Sequence, residues 1–161
     1  MKTFERDLMV VECVNISAWY KKVREDSNKF NGFSVQTLWA LKKNMKKIDE
    51  IANNFEEFKS GLEDKLKEDY FNEEKSEPNK FVDQNGQEVE GRKIKEDFIE
   101  EYQTEVNKLN TQINEVLYSK ETLNLNEINI DNEIENMGNN TNITIDDLDI
   151  LSAFENEEED A

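Results

Sequence analysis

The hydrophobic positions of residues 34–71 repeat at helical spacing. They follow one another at steps of three or four: Leu38, Leu41, Met45, Ile48, Ala52, Phe55, Phe58, Leu62, Leu66 and Tyr70. This spacing keeps side chains on one face and predicts a single amphipathic helix over Ser34–Phe71. Ser34 is a suitable N-cap residue for this helix. So long a helix needs a partner along its apolar face, because helix propensity alone does not stabilise it.

A second helical pattern, over Lys93–Ser119, supplies that partner. Its apolar positions are Ile94, Phe98, Tyr102, Val106, Leu109, Ile113, Val116 and Leu117. The second helix is long enough to run back along most of the first, so we predict a long antiparallel helical hairpin that resembles a coiled coil. The same spacing also suits pairing with the helix of another copy, which leaves a homodimer as the alternative.

Residues 72–91 interrupt the helical pattern. Pro78 breaks it, and Lys80–Gly91 has the alternation of a small β-hairpin. Asn85-Gly86 is the preferred pair for a type I′ turn. We therefore predict a β-hairpin at the tip of the helical hairpin.

The two ends of the chain predict a small sheet at the base of the hairpin. Leu8–Val14 is rich in β-branched residues and predicts a strand, which a short helix over Ala18–Glu25 follows. Apolar and polar residues alternate over 123–130, with one break at Asn126-Glu127, and predict one or two short strands that pair with that strand. Residues 131–142 are rich in asparagine and acids, so we expect a loop there.

The last predicted element is a short helix that ends at Phe154. Thr144 and Asp147 have the spacing of a capping box at its start. The predicted fold is therefore α+β and mostly α, with one elongated domain over residues 1–154. Residues 155–161 are expected to form a disordered acidic tail.

The acidity of the chain restricts its partners. The net charge is −18, and the segment from Glu121 onwards contains 13 acidic residues and no lysine or arginine. This charge argues against direct binding to nucleic-acid phosphates. It leaves a basic protein partner, the binding of metal ions, or solubility alone as the role of the charge.

The composition also argues against an enzyme. The chain has no histidine, so a Ser-His-Asp triad is excluded, and its five glycines form no phosphate-binding loop. The single Cys13 lies among valines, and we expect it to be a small buried hydrophobe. We predict no catalytic residue, no cofactor and no metal site.

One basic segment, Lys42–Lys47, stands out in this acidic chain. It predicts either a solvated helix face or contact with an acidic partner or a phosphate. Trp39 precedes it and is expected to be buried against Trp19 or Tyr20. An exposed tryptophan beside these lysines would instead mark an interface.

Two groups of residues are predicted to contact a protein partner. One lies at the β-hairpin tip and the other in the C-terminal segment: Phe81 and Val82, then Asp146, Asp147, Leu148, Asp149, Leu151 and Phe154. No stretch approaches the about 20 apolar residues that span a bilayer. The predicted location is therefore the cytoplasm, that of a host cell if the protein is viral.

The order of these segments resembles small helical-hairpin proteins of unknown function that tailed bacteriophages encode. The likeness rests on Lys29–Asn44, on Lys80–Gly86 leading to Phe98–Tyr102, and on Leu123–Ile128 followed by Ile143–Phe154. It covers most of the chain, is architectural and includes no catalytic motif. It implies a viral origin and a non-enzymatic role, and it supplies no functional residues.

Two functions follow as hypotheses. The first is a phage-encoded binding or accessory protein that acts through protein contacts in infection or particle assembly. The second is an acidic mimic of nucleic acid that inhibits a host defence nuclease, as anti-restriction or anti-CRISPR proteins do. In the second case the carboxylates take the place of phosphates in a basic cleft.

Overall fold

The computed structural model describes residues 2–138 and 142–157 of the chain. These residues form five α-helices and four strands, in the order β1 (Thr3–Met9), α1 (Val10–Val23), α2 (Val35–Tyr70), β2 (Ser76–Val82), β3 (Glu88–Ile94), α3 (Ile99–Leu117), β4 (Lys120–Asn126), α4 (Ile130–Met137) and α5 (Ile145–Leu151). The strands pair as two antiparallel two-stranded sheets, β1 with β4 and β2 with β3. The predicted α+β, mostly helical class is confirmed.

The chain divides into two compact units where the sequence predicted one domain. Unit 1 comprises residues 1–54 and 118–161, and unit 2 comprises residues 55–117. The division falls within α2, so the first part of this helix belongs to unit 1 and the rest to unit 2. The helical hairpin stays a prediction.

The core of unit 1 is built on one face of α2. Leu41, Met45 and Ile48 are buried there, as the sequence predicts, and so is the predicted hydrophobe Cys13. Burial raises the pKa of the Cys13 thiol to about 11, so it stays protonated at neutral pH. Leu38 was assigned to the same face, but it is exposed.

The predicted pairing of an N-terminal strand with the 123–130 segment is confirmed, but the strand bounds were wrong. β1 pairs with β4 from Thr3 opposite Asn126 to Met9 opposite Lys120. Residues 10–14 begin α1 instead of extending the strand. A strand would place Glu12 on the same face as Val10, whereas the helix leaves Glu12 exposed and lets its side chain accept the Met9 N–H, with an N···O distance of 3.1 Å.

Segment 131–142 was predicted as a loop, and its first part is helical. Asn129 caps α4 by accepting the Asn132 N–H. Glu133, on the buried face of α4, accepts hydrogen bonds from the Ser34 N–H (3.0 Å) and the Thr37 hydroxyl (2.5 Å). Ser34 is the predicted N-cap, and its Oγ accepts the Thr37 N–H. Residues 139–141 of the predicted loop lie outside the described residues.

In unit 2 the β-hairpin is longer than predicted and its turn is of another type. The Gly86 N–H donates to the Asp83 carbonyl (3.1 Å), and the Asp83 N–H donates to the Gln87 carbonyl (2.9 Å). Gly86 has φ +77°, and no residue other than glycine has a positive φ in the described chain. A type I′ turn requires positive φ at Asn85 as well, so the turn is instead a type I turn followed by a glycine bulge.

Because β3 extends to Ile94, α3 begins at Ile99 and not at the predicted Lys93. A short 3₁₀ turn, Glu96–Phe98, separates the two elements. The Tyr102 ring on α3 lies 5.4 Å from the Tyr70 ring, centroid to centroid, at an angle of 61°. This edge-to-face contact packs the start of α3 against the end of α2.

The predicted capping box of the last helix is confirmed. Thr144 accepts the Asp147 N–H, and the Asp147 carboxylate accepts the Thr144 N–H. The chain continues to contact unit 1 beyond this helix, because Arg6 donates to the Glu155 carbonyl (3.4 Å). The predicted disordered tail therefore does not describe Glu155, and residues 158–161 lie outside the described residues.

Gly61 and Gly32 test which backbone positions require glycine. An added Cβ at Gly61 in α2 meets no atom within 4 Å. We expect Gly61→Ala to raise the free energy of unfolding by about 0.5–1 kcal/mol, since alanine loses less conformational entropy in a helix. Urea denaturation followed by circular dichroism measures this change.

The matched control is Gly32→Ala. Gly32 has φ +90°, and its added Cβ would lie 2.7 Å from the Asn136 carbonyl oxygen. We expect a loss of more than about 1 kcal/mol from this combination of strain and collision. Equal changes in the free energy of unfolding for Gly61→Ala and Gly32→Ala would contradict the conclusion that position 32 requires glycine and position 61 does not.

Candidate binding surfaces

The C-terminal residues predicted to contact a partner are mostly part of the core. Leu151 is 1% exposed and Phe154 is 0% exposed, and Leu148 packs against the same core while partly buried. The Phe154 carbonyl also accepts the Ile128 N–H (2.9 Å). Leu151 and Phe154 are therefore core residues, and the prediction that they contact a partner was wrong. Their side chains are already buried within the chain, so they have no surface left for a partner to cover.

Asp147 has a structural role in place of the predicted contact with a partner. It is 4% exposed and accepts hydrogen bonds from the Trp19 indole N–H (2.8 Å) and the Lys29 ammonium group (2.8 Å). Burial alone raises the pKa of this carboxyl, but the hydrogen bonds from Lys29, Thr144 and Trp19 outweigh burial and lower its pKa to about 2. Asp147 thus attaches α5 to α1. Its neighbours Asp146 and Asp149 are exposed.

The β-hairpin tip exposes three large apolar side chains. Val82 is 70% exposed, and Phe81 is exposed beside Val89, which lies opposite it across the two strands. The Phe81 ring also covers Gly91, because a Cβ built on Gly91 would lie 2.9 Å from two ring carbons. Phe81 and Val82 are therefore available at the surface, and their contact with a partner stays a prediction.

Trp39 is half exposed, so its predicted burial was wrong. Trp19 packs instead on Tyr20 and Phe30, with ring centroids 6.4 and 6.1 Å away. Trp39 lies next to Ala40 in the chain, and Ala40 points into the core. A helix that buries Ala40 and Leu41 turns Trp39 outward.

The outward face of the first part of α2 forms a surface that we call the α2 patch. Its members lie at helical spacing on the side opposite the core, and all are exposed: Val35, Leu38, Trp39, Lys42, Lys43 and Lys46. Val35 is 82% exposed. The spacing of Val35, Trp39, Lys42 and Lys46 is visible in the sequence, but Leu38 had been assigned to the core face, so the apolar part of the patch was missed.

Two lysines of the α2 patch lie over the tryptophan ring. The Lys43 and Lys42 ammonium nitrogens lie 5.3 and 5.8 Å from the centroid of the Trp39 ring. Each such cation–π contact stabilises by about 0.5–1 kcal/mol at an exposed site. Within residues 2–138 and 142–157, Lys42, Lys43 and Lys46 form no ion pair with a carboxylate.

Lys47, the last residue of the predicted basic segment, belongs to the fold. Its ammonium group donates to the Asn124 carbonyl of β4. The basic segment is therefore divided between one lysine that holds a strand and three lysines on the α2 patch.

Carboxylates do not gather into a metal centre in the described part of the chain. Asp83, the acid nearest the hairpin turn, accepts the N–H groups of Asn85 and Gln87, both at 2.9 Å. Asp83 thus stabilises the turn. Among the described residues, every helix is also too short or too polar to cross a lipid bilayer.

Comparison of the chain with protein-family models, with curated proteins and with solved structures finds no match. The resemblance to helical-hairpin proteins of tailed phages therefore stays a prediction.

The role of Asp147 predicts a pH dependence of stability. Its pKa in the folded chain, about 2, lies below the ordinary value of 3.8. The ionised carboxylate therefore stabilises the fold above about pH 4, and this contribution is lost as the pH falls towards 2. We expect Asp147→Asn to lower the free energy of unfolding at neutral pH by an amount on the order of 2 kcal/mol. The difference from wild type should shrink between pH 4 and pH 2.

Urea unfolding across a pH series measures this difference. Asp149→Asn, an exposed acid of the same helix, is the matched control and should leave stability unchanged. A wild-type advantage over Asp147→Asn that persists at pH 2 would show that the carboxylate charge is not what stabilises the fold.

Proposed function

We propose that this chain is a non-enzymatic binding protein that acts through protein–protein contacts, with the α2 patch as its contact surface. The observation that carries this proposal is a half-exposed Trp39 with two lysine ammonium groups over its ring. The partner is a protein that presents an apolar pocket bordered by acidic residues.

The tryptophan supplies the binding energy in this proposal. Tryptophan is enriched among interface residues whose truncation costs 2 kcal/mol or more, because it buries a large rigid surface. Val35 and Leu38 extend the apolar area beside it. An exposed apolar cluster of this kind on a strongly charged chain supports an interaction site.

The lysines of the α2 patch orient the partner and raise the rate of association. Lys42, Lys43 and Lys46 are exposed on a chain whose net charge is −18. They repel basic surfaces and attract acidic ones, so they select an acidic partner and raise the association rate at low salt. This reverses the partner charge that the overall composition favoured.

The setting we propose is phage infection or particle assembly in the host cytoplasm, on the basis of the architectural resemblance. The antiparallel helical hairpin of α2 and α3 belongs to the same proposal as its scaffold. In unit 2, this pairing is supported by the Tyr102 ring, which contacts both Tyr70 and Phe71 at centroid distances of 5.4 and 5.8 Å.

The second candidate function is mimicry of nucleic acid towards a basic host defence nuclease. It is favoured by exposed carboxylates on ordered elements of unit 2, since Glu96 and Asp97 lie exposed on the 3₁₀ turn before α3 and Glu100 lies exposed in the first turn of α3. Carboxylates held on a helix can occupy a basic cleft in place of phosphates. The two functions differ in the charge of the partner and in the surface that binds it.

Capture from bacterial lysate with the full chain as bait separates the two. Four baits are compared: wild type, Trp39→Ala, the double variant Lys42→Glu/Lys46→Glu, and a control. The charge-matched control is Lys65→Glu/Lys67→Glu, which reverses two exposed lysines farther along the same helix. Captured proteins are identified by mass spectrometry, and their affinities are then measured with the purified partner.

We expect Trp39→Ala to weaken binding of the specific partner by about 30-fold, which corresponds to 2 kcal/mol. The Lys42→Glu/Lys46→Glu variant should slow association, and the control should match wild type. A partner bound equally by all four baits would contradict a role for the α2 patch. A basic partner that is released by salt and keeps its affinity for Trp39→Ala would support mimicry instead.

A further inference from the structure

The β2–β3 hairpin of unit 2 leaves the outer edge of β3 open. The ladder is bounded by the Asp83 N–H to Gln87 carbonyl bond and the Lys95 N–H to Lys75 carbonyl bond, both 2.9 Å long. Since antiparallel pairing alternates, Val89, Gly91 and Lys93 direct their backbone groups towards β2. The even-numbered residues Glu88, Glu90, Arg92 and Ile94 direct theirs outward.

The two edges of this hairpin are protected differently. On β2, Pro78 occupies an outward position and has no N–H, while the outward N–H of Ser76 donates to the Asn72 carbonyl (2.9 Å). On β3, the sequence between Glu88 and Ile94 contains no proline. In the described chain no further strand pairs with this edge. An open strand edge of this kind is a template for another strand.

We propose that β3 pairs antiparallel with β3 of a second copy of this chain, about a two-fold axis at Gly91, to form a four-stranded sheet. The proposal concerns unit 2 and shares no residue with the α2 patch.

Complementary charges favour a second copy of this chain as the partner of β3, and they favour this register. With Gly91 opposite Gly91, Glu90 of each copy lies directly opposite Arg92 of the other, so the pairing contains two opposite-charge pairs. Moving the axis to residue 90 would oppose two glutamates, and moving it to residue 92 would oppose two arginines. Like charges directly opposite are destabilising, so the Gly91 register is preferred.

The Arg92 side chain changes partner in this pairing. Its Nε donates to the Ser76 hydroxyl (2.7 Å) and its Nη2 donates to the Ser76 carbonyl (3.0 Å). Because Ser76 lies on β2, these bonds hold the guanidinium on the side of β3 away from the open edge. The side chain turns from Ser76 towards that edge when it pairs with Glu90 of the second copy.

The other face of the sheet supplies apolar contact. The Phe81 ring covers Gly91, which has no side chain of its own. When two glycines lie opposite each other at the axis, the Phe81 rings of both copies meet over it, with Val89 beside them. The exposure of Phe81 and Val89 in one chain is then explained by burial in the pair.

Sedimentation equilibrium of the full chain tests the proposal. Over roughly 1–200 μM chain, which covers dissociation constants in the micromolar range, we expect a species of twice the 19.0 kDa chain mass. Glu90→Pro removes one outward N–H and leaves the β2–β3 ladder intact. It should raise the dissociation constant of the dimer at least about tenfold.

The matched control is Lys80→Pro. Lys80 lies directly opposite Glu90 in the hairpin, and its N–H points to the outer edge of β2. This variant should dimerise as wild type does. A wild-type chain that stays monomeric over the whole range, or a Glu90→Pro variant that dimerises like wild type, would overturn the proposal.

Charge exchange provides a second test that does not depend on proline. Glu90→Arg and Arg92→Glu should each be monomeric alone, because each opposes like charges across the axis. Mixing the two restores opposite charges at both positions, so a heterodimer should form. Failure of the mixture to associate, with both variants folded by circular dichroism, would overturn the register.

The result is separate from the function proposed for the α2 patch. A monomeric Glu90→Pro variant should still capture the partner that requires Trp39. Conversely, if no captured protein depends on Trp39, the sedimentation result for the β3 dimer still stands.

Discussion

The burial of one face of α2 is the interaction on which unit 1 depends. Leu41, Met45 and Ile48 lie along this face, and the fully buried Asn44 lies among them. The Asn44 amide accepts the Asn126 N–H (2.7 Å) and donates to the Asn126 carbonyl (2.9 Å). A buried amide left without partners costs about 1–3 kcal/mol. These two hydrogen bonds therefore fix the position of the end of β4 against α2. The position of β1 then follows from its pairing with β4.

Two buried carboxylates attach the C-terminal helices to this core. Glu133 accepts the Ser34 N–H at the start of α2, where a helix has unpaired donors and favours negative charge. Asp147 accepts from Trp19 and Lys29, which lie far from it in the sequence. Although the chain has a net charge of −18, these two acids are buried and stabilise the fold. The solvent-exposed acids are the ones that set its electrostatic field.

The candidate surfaces follow from what this packing leaves uncovered. A helix that buries Ala40, Leu41 and Asn44 necessarily exposes Trp39 and Lys43 on its other side. A two-stranded sheet always has two outer edges, and a proline closes only one of them here. The α2 patch and the β3 edge are therefore independent features, one in each unit.

Local chemistry in the sequence determined the ends of several elements. The Ser34 cap, the capping box of Thr144 and Asp147, and the helical repeat of Leu41, Met45 and Ile48 all depend on residues within a few positions of one another. Only the tertiary structure decided the elements whose patterns suit two conformations. Residues 10–14 suit a strand or a helix, and burial of Cys13 with Ile16 and Ser17 selects the helix. Trp39, Leu151 and Phe154 were misassigned for the same physical reason, because a periodic pattern fixes which residues share a face but not which face its neighbours cover.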